Sequence, residues 1–351
     1  MAATFIIYFV LIGASYIWLD DRFSNGLKIF SLFVFLLILS FRYEVGGDWR
    51  GYVNDYNSAN WDRYEFLYAS IGRFLSFLRL PYHGLIGLIA FLQIVLIRRL
   101  RDCYNVSGLI IFFYFALLFF FESLSILRQM VAVPLFYLLL EFVIMGKLAN
   151  SLLLLLVMLG FHSSSLVALI LIPLARILGK ASLRTIYTIL PLILIFILNI
   201  DFYSLFQDLV RLAFNYHLIP SQGYAVMDET LFFAKNDYLG YGFYLYLWTS
   251  IVVLWKYKNL KANPLLRGVW LIQLILFPVV QEMNNIGISR LYMYVSFSNV
   301  LVYSIIFGSL GKTYYETAVK YISFVGYIVY FIVALSRGAA HSSPFTFSFY
   351  A

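Results

Sequence analysis

The sequence predicts an all-α fold, a polytopic bundle of about twelve helices that cross a membrane. Three observations lead there. The 351 residues are 63% hydrophobic and 12% charged, with a mean hydropathy of +0.87, whereas soluble domains are roughly a quarter charged. Apolar runs long enough to span a bilayer recur from one end of the chain to the other. Basic residues gather between those runs with a bias toward one side, as retention charges do. No separate soluble domain is evident, so 1–351 reads as a single integral membrane domain. The net charge of +8 follows from loop cations and does not argue for nucleic acid.

Taken in order, the expected spans are 2–19, 27–41, 84–101, 106–121, 124–145, 148–160, 162–178, 184–200, 241–257, 264–282, 287–309 and 315–336. The first has no basic residue ahead of its apolar run. Asp20-Asp21 follows where a signal peptide would carry small residues, so the segment reads as a retained helix. With Arg98, Arg99 and Arg101 placed inside, alternation puts 15 of the 25 Lys and Arg residues inside. The other ten are Arg42, Arg50, Arg63, Arg73, Arg79, Arg128, Arg211, Lys235, Arg290 and Arg337. Nine of these ten are arginines, against seven of the fifteen inside. Arginine grips phosphate and carboxylate with a planar fork that lysine lacks, so the outer charges look selected for recognition.

Three interruptions carry the polar chemistry. The first, 42–83, is an outer loop followed by an interfacial helix. Its core is Phe41 to Glu65, FRYEVGGDWRGYVNDYNSANWDRYE, where Gly46 and Gly47 let the backbone turn tightly. Residues 66–80 suit an amphipathic helix lying in the interface better than a span. If they span, the loop changes sides. The second is 148–178, with Gly160-Phe161-His162-Ser163-Ser164-Ser165 at its middle and Lys147 and Arg176 flanking its ends. It reads as two short helices meeting in a turn. The third, 201–240, is the largest hydrophilic gap. It opens with a surface helix bearing Phe202, Leu205, Phe206, Leu209 and Val210 on one face, and continues as an aromatic loop.

Candidate site residues follow from these settings. Arg128 and Arg290 each fall in the first turn of a helix entering from outside, where the macrodipole disfavours a cation. An anion held between guanidinium and free N–H groups would remove the conflict; snorkelling, or pairing with Glu122 or Glu282, is the plainer explanation. Arg42 ends a helix, where its charge suits the dipole. His162 follows a glycine at membrane depth, where a histidine is a functional candidate, though Ser163 to Ser165 also suit a simple cap. Asp48 and Glu65 are the carboxylates best placed for general-base work; most loop carboxylates are solvated partners of cations. Trp49, Tyr52 and Tyr224, with Trp61, Tyr216, Tyr238 and Tyr241, suit stacking on sugar rings or an interfacial aromatic belt.

Single Cys103 excludes an internal disulfide and a Cys-rich metal site. The four histidines, His83, His162, His217 and His341, have no metal-ligand spacing. There is no phosphate-binding glycine loop and no paired acidic motif, so nucleotide hydrolysis and a metal-held nucleotide sugar have no support.

Four segments in order resemble a known family: FRYEVGGDWRGYVNDY followed by Glu65, ESLSILRQMVAVPLFYL, LGFHSSSLVALILIPL and ISRLYMYV. Their spacing is similar to that of the EpsG-like branch of the Wzy polysaccharide polymerases, which act in O-antigen and exopolysaccharide synthesis. The pattern falls on Arg42, Gly46, Asp48 and Tyr52, on Arg128-Gln129, on Phe161-His162-Ser163 and on Arg290. Where the family often has Asn before the Arg-Gln, this chain has Glu122-Ser123-Leu124-Ser125. The resemblance implies a multi-pass glycosyltransferase related to the GT-C folds, in the bacterial inner membrane, with its site facing the periplasm or exterior. The implied substrate is an undecaprenyl-diphosphate-linked oligosaccharide, with membrane lipid around it and a chain-length regulator and flippase as partners. No cofactor and no metal are implied. Arg42, Arg128 and Arg290 would meet the diphosphate. Asp48, His162 or Glu65 would serve the acceptor hydroxyl. Trp49, Tyr52, Gln129 and Tyr224 would contact sugar. An O-antigen ligase and a lipid-linked-sugar flippase are the alternatives.

Overall fold

The computed structural model describes residues 2–182, 186, 241–283, 286–336 and 346–347. The expected helix over 184–200, Ile186 apart, and the 201–240 segment with Tyr224 lie outside the described residues. The described chain is helical throughout except for one two-residue strand pair. Among the described residues three stretches are long and apolar enough to cross a membrane: Tyr82–Cys103, Arg290–Ser309 and Tyr314–Ser336. Shorter apolar helices accompany them. By its contacts the chain forms two compact units, Met1–Ala168 with Asn299–Ala351, and Leu169–Ser298.

In the first unit, α1 (Ala2–Leu19) and α2 (Asn25–Ser40) form an antiparallel pair. Ser24 caps α2 by accepting from the Leu27 N–H. Beyond α2 come β1 (Arg42–Tyr43), α3 (Trp49–Asn57), α4 (Phe66–Phe77) and α5 (Tyr82–Cys103). At 12 residues, α4 is about 18 Å long, short of a ~30 Å hydrocarbon layer. Its Tyr68, Ala69, Gly72 and Leu75 face the core, while Phe66, Phe74 and Phe77 are exposed. Large apolar side chains also point outward from α1 and α2, among them Ile6, Phe9, Ile29 and Phe33, which suits a lipid-facing surface and no aqueous one.

The expected spans over 106–121 and 124–145 are each redrawn. The first is broken into α6 (Leu109–Ala116) and α7 (Phe119–Ser125) at Leu118, which takes φ +65°. The second begins only at α8 (Gln129–Ile144). Gln93, about three turns into α5, donates toward the Ser123 and Leu127 carbonyls at 3.5 and 3.4 Å. Further on, the Tyr104 hydroxyl donates to the Tyr137 carbonyl at 2.9 Å. The two contacts advance together, so α5 and α8 run parallel. The start of α8 therefore sits inside the helix layer and not at its rim. Helix α9 (Leu148–Phe161) returns against α8 and ends at His162; a 3₁₀ turn (Ser163–Val167) follows, and α10 (Ala168–Leu178), next in the chain, belongs to the second unit. This is the expected pair of short helices meeting in a turn. The first unit is completed by α14 (Ser298–Ser309) and α15 (Tyr314–Ser336), whose Tyr303, Phe307 and Tyr327 enclose Phe113.

The second unit contains α11 (Tyr241–Trp255), α12 (Pro264–Met283) and α13 (Ile286–Ser296). Gln273 ties it together: it accepts from the Tyr246 hydroxyl at 3.1 Å, and its amide lies 2.7 Å from the Tyr292 hydroxyl.

Candidate active site

The loop after α2 is pinned to the break between α7 and α8. Arg42 Nη2 donates to the Leu124 carbonyl at 2.9 Å, and the Gly47 N–H donates to Ser125 Oγ at 2.9 Å. Gly46, at φ +103°, lets the backbone press against the same Leu124 carbonyl, where a Cβ would collide. A broken helix at membrane depth needs such partners, because its freed carbonyls have no water to bond. Arg42 is only 2% exposed. Burial pulls its guanidinium down to about 10, which still leaves it cationic at neutral pH. It serves as a brace for the α7 terminus, and the expected contact with diphosphate has no support in this arrangement. β1 also pairs antiparallel with β2 (Thr346–Phe347).

The segment expected as loop contains α3. Trp49, Tyr52 and Tyr56 recur at helical spacing and are all buried. Trp49 packs against Tyr43 and Tyr82 at ring distances of 4.9 and 6.2 Å. The Tyr56 hydroxyl donates to the Leu80 carbonyl at 2.6 Å, and Trp61 fills the space left by Gly72. Trp49 and Tyr52 thus build the wall of the site and offer no open face for stacking on sugar. Gln129, at 1% exposure, is also inside the wall. Asp48 stands half-buried at the N-terminus of α3 and makes no capping bond there.

Glu65 is the centre of the arrangement. It occupies the N-cap of α4, yet its side chain makes no cap bond to that helix. It reaches across to two other elements instead. Oε2 pairs with Arg128 Nη1. Oε1 accepts from the Ser163 N–H at 2.9 Å and lies 3.1 Å from His162 Nδ1 and 3.2 Å from Ser163 Oγ. Residues 63 and 97 positions away along the chain are so joined by one carboxylate. Side-chain exposures of 16% for Glu65, 18% for Arg128 and 12% for His162 mark a cluster largely withdrawn from solvent but still open. The Arg128 guanidinium lies 4.7 Å above the Tyr64 ring and 5.8 Å from that of Tyr68, a cation–π seat that fixes its plane. Its partner is Glu65, not Glu122.

Burial pushes the Glu65 carboxyl up, but the His162 and Ser163 hydrogen bonds and the Arg128 charge outweigh it and hold the group at about 2. Glu65 is therefore an acceptor only. His162 Nδ1 must therefore carry the proton in their shared bond. Burial raises the Tyr64 hydroxyl above its usual range against the lowering pull of Arg63.

Sequence reasoning gave no site role to Tyr64, Tyr68 or Asp55, and read Ser163 only as part of a motif and a cap. Asp55 accepts from Tyr64 and pairs with Arg63. The signal available was the spacing of Trp61, Tyr64 and Tyr68 around Glu65. Several outer arginines expected to serve recognition are instead ion-paired within the loop: Arg50 with Glu44 at 2.8 Å and Arg73 with Asp62 at 3.1 Å. Arg290 lies in the second unit, half-buried and just past the first turn of α13, where the first turn was expected. Among the described residues no group of three His, Cys, Asp or Glu side chains suits a metal ion.

The EpsG family model matches residues 26–349, which takes in Arg42, Glu65, Arg128, His162 and Arg290. The chain belongs to the EpsG family. This is a Wzy-like polysaccharide polymerase family, and membership agrees with the all-α, apolar architecture. EpsG membership also assigns a polymerase-type, glycosyltransferase-like function to the chain in coarse terms. No curated protein and no solved structure matches the chain.

Proposed function

We propose that this EpsG-family chain joins undecaprenyl-diphosphate-linked oligosaccharide repeat units at the outer face of the membrane, with Arg128, His162 and Glu65 as its reacting centre. The observation that carries the reading is the single carboxylate of Glu65 bonding both Arg128 and His162 in a recessed, aromatic-walled site. Glycosyl transfer from a lipid diphosphate needs an anion grip and a base. The acceptor hydroxyl oxygen bonds to the anomeric carbon of the donor, and the bond from that carbon to the diphosphate breaks. The electron pair leaves on the diphosphate, where Arg128 meets the growing charge. The hydroxyl proton passes to His162 Nε2. Glu65 holds Nδ1–H and stabilises the imidazolium, a positioning role of the kind a carboxylate plays behind a catalytic histidine.

Glu65 itself is a poor base, because a carboxyl held at about 2 has little driving force to take a proton near neutrality. In the resting site it also stands where an anion would: the incoming diphosphate shares Arg128 with it. Arg290 remains a proposed second contact for the diphosphate, and Asp48 a proposed contact for the acceptor. The test is incubation of purified protein with a defined lipid-linked repeat unit, followed by mass analysis of products. Wild-type protein is expected to give a ladder. Arg128→Ala and His162→Ala are each expected to slow elongation by about 10²–10⁴-fold while the protein stays folded. A full ladder at wild-type rate from either variant would remove that residue from the mechanism.

A further inference from the structure

The unit that holds Glu65 also contains a cavity at its other end, where α5 finishes and α6 begins. It encloses about 770 Å³, a size that suits a small ligand. Its walls are apolar, with Ile12 on α1 and Phe112 on α6 among them. Its charged lining is unbalanced: Arg22, Arg101 and Lys320 stand against one carboxylate, Asp20. Arg22 is fixed in place, with Nε 3.0 Å from Asp20 Oδ2 and Nη2 donating to the Tyr16 hydroxyl at 2.6 Å. Arg101 pairs with Asp21 through Nη2, but its Nη1 is buried with no hydrogen-bond partner. Lys320 Nζ has a long contact of 3.4 Å to the Leu310 carbonyl. Donor capacity is thus in reserve beside an apolar chamber.

A basic pocket between membrane helices is suited to a negatively charged headgroup. An apolar chamber behind three cations selects an amphiphilic anion over a free one, because the chamber rewards burial of a hydrocarbon chain. We propose that this cavity binds the phosphate headgroup of an anionic membrane lipid, with Arg101 and Lys320 on the phosphate and an acyl chain against the α1 and α6 wall. The inference does not rest on the polymerase reading, since none of these residues belongs to the Glu65 cluster.

Gly13 gives a clean way to close the cavity. A Cβ built there meets nothing within 4 Å, so Gly13→Leu puts a side chain into space and favours the helix it sits on. Full-length protein would be placed in nanodiscs of phosphatidylcholine with or without phosphatidylglycerol, and retained lipid counted by native mass spectrometry. Wild-type protein is expected to retain phosphatidylglycerol in preference to phosphatidylcholine. Gly13→Leu is expected to weaken that retention about tenfold, and Lys320→Gln about fivefold, with unfolding in phosphatidylcholine as the folding control. Excess inorganic phosphate should leave the lipid in place. Equal retention of the two lipids, retention unchanged in both variants, or displacement by inorganic phosphate would each overturn the proposal.

Discussion

Asp21 and Glu65 each bind groups from several elements of the same unit, yet their settings differ. Asp21, in the turn between α1 and α2, is 62% exposed and lies 2.9 Å from Lys28, 3.7 Å from Arg98 and beside Arg101. Its partners are side chains alone, and its carboxylate faces solvent. Glu65 is 16% exposed; it holds one guanidinium, one imidazole and one backbone N–H. The exposed cluster staples helix ends and is screened. The covered one orients a histidine and an arginine toward a common point, in surroundings where electrostatic interactions are stronger. Counting charges does not separate the two; burial and the kind of partner do.

Removing each carboxylate should separate them further. Glu65→Ala leaves Arg128 covered and unpaired and His162 without its orienting acceptor, so elongation of a defined lipid-linked unit is expected to fall about 100-fold. Gly46→Ala should act through structure, because its Cβ would strike the Leu124 carbonyl at a φ of +103°. A loss on the order of 2 kcal/mol is expected, read as a lowered melting temperature in detergent. A wild-type melting curve would mean that this seat does not hold the α7–α8 break.

The pH response of stability is a third contrast. The Glu65 carboxyl is depressed from 4.5 to about 2 on folding. A depressed carboxyl contributes stability that is present above its unfolded value and lost as pH falls through the folded one. The wild-type melting temperature should therefore drop between about pH 4.5 and pH 2 more steeply than that of Glu65→Gln; parallel curves would show that Glu65 is not held in this way. Asp21→Asn should have the smallest effect on the melting temperature, one that shrinks with added salt, with polymer formation unchanged.

Much of the fold was legible in the sequence, because hydropathy reports burial in a bilayer directly. The helix over 2–19, the break at His162 and the short amphipathic helix after Glu65 all follow from pattern. The break at Leu118 does not, since FFYFALLFFFESLS contains neither glycine nor proline to mark it. The next break, between α7 and α8, is held by Arg42, Gly47 and Gln93, all distant in sequence. Helix α3 was present as the spacing of Trp49, Tyr52 and Tyr56, hidden among turn-forming residues. The site residues Arg128, His162 and Glu65 could each be singled out by local setting. Their union could not, because a carboxylate that leaves its own helix to bond residues 63 and 97 positions on has no local signature. Arg42 misleads for the same reason: its partner is a backbone carbonyl, which no residue type announces.

The central claim is that the diphosphate binds at Arg128, which it shares with Glu65. Equilibrium binding of undecaprenyl diphosphate to purified wild-type, Arg128→Ala and Glu65→Gln proteins tests it directly. The account predicts affinity weakened by about tenfold or more in Arg128→Ala and equal or tighter binding in Glu65→Gln, where the competing carboxylate is gone. Unchanged affinity in Arg128→Ala, with the protein folded, would contradict it.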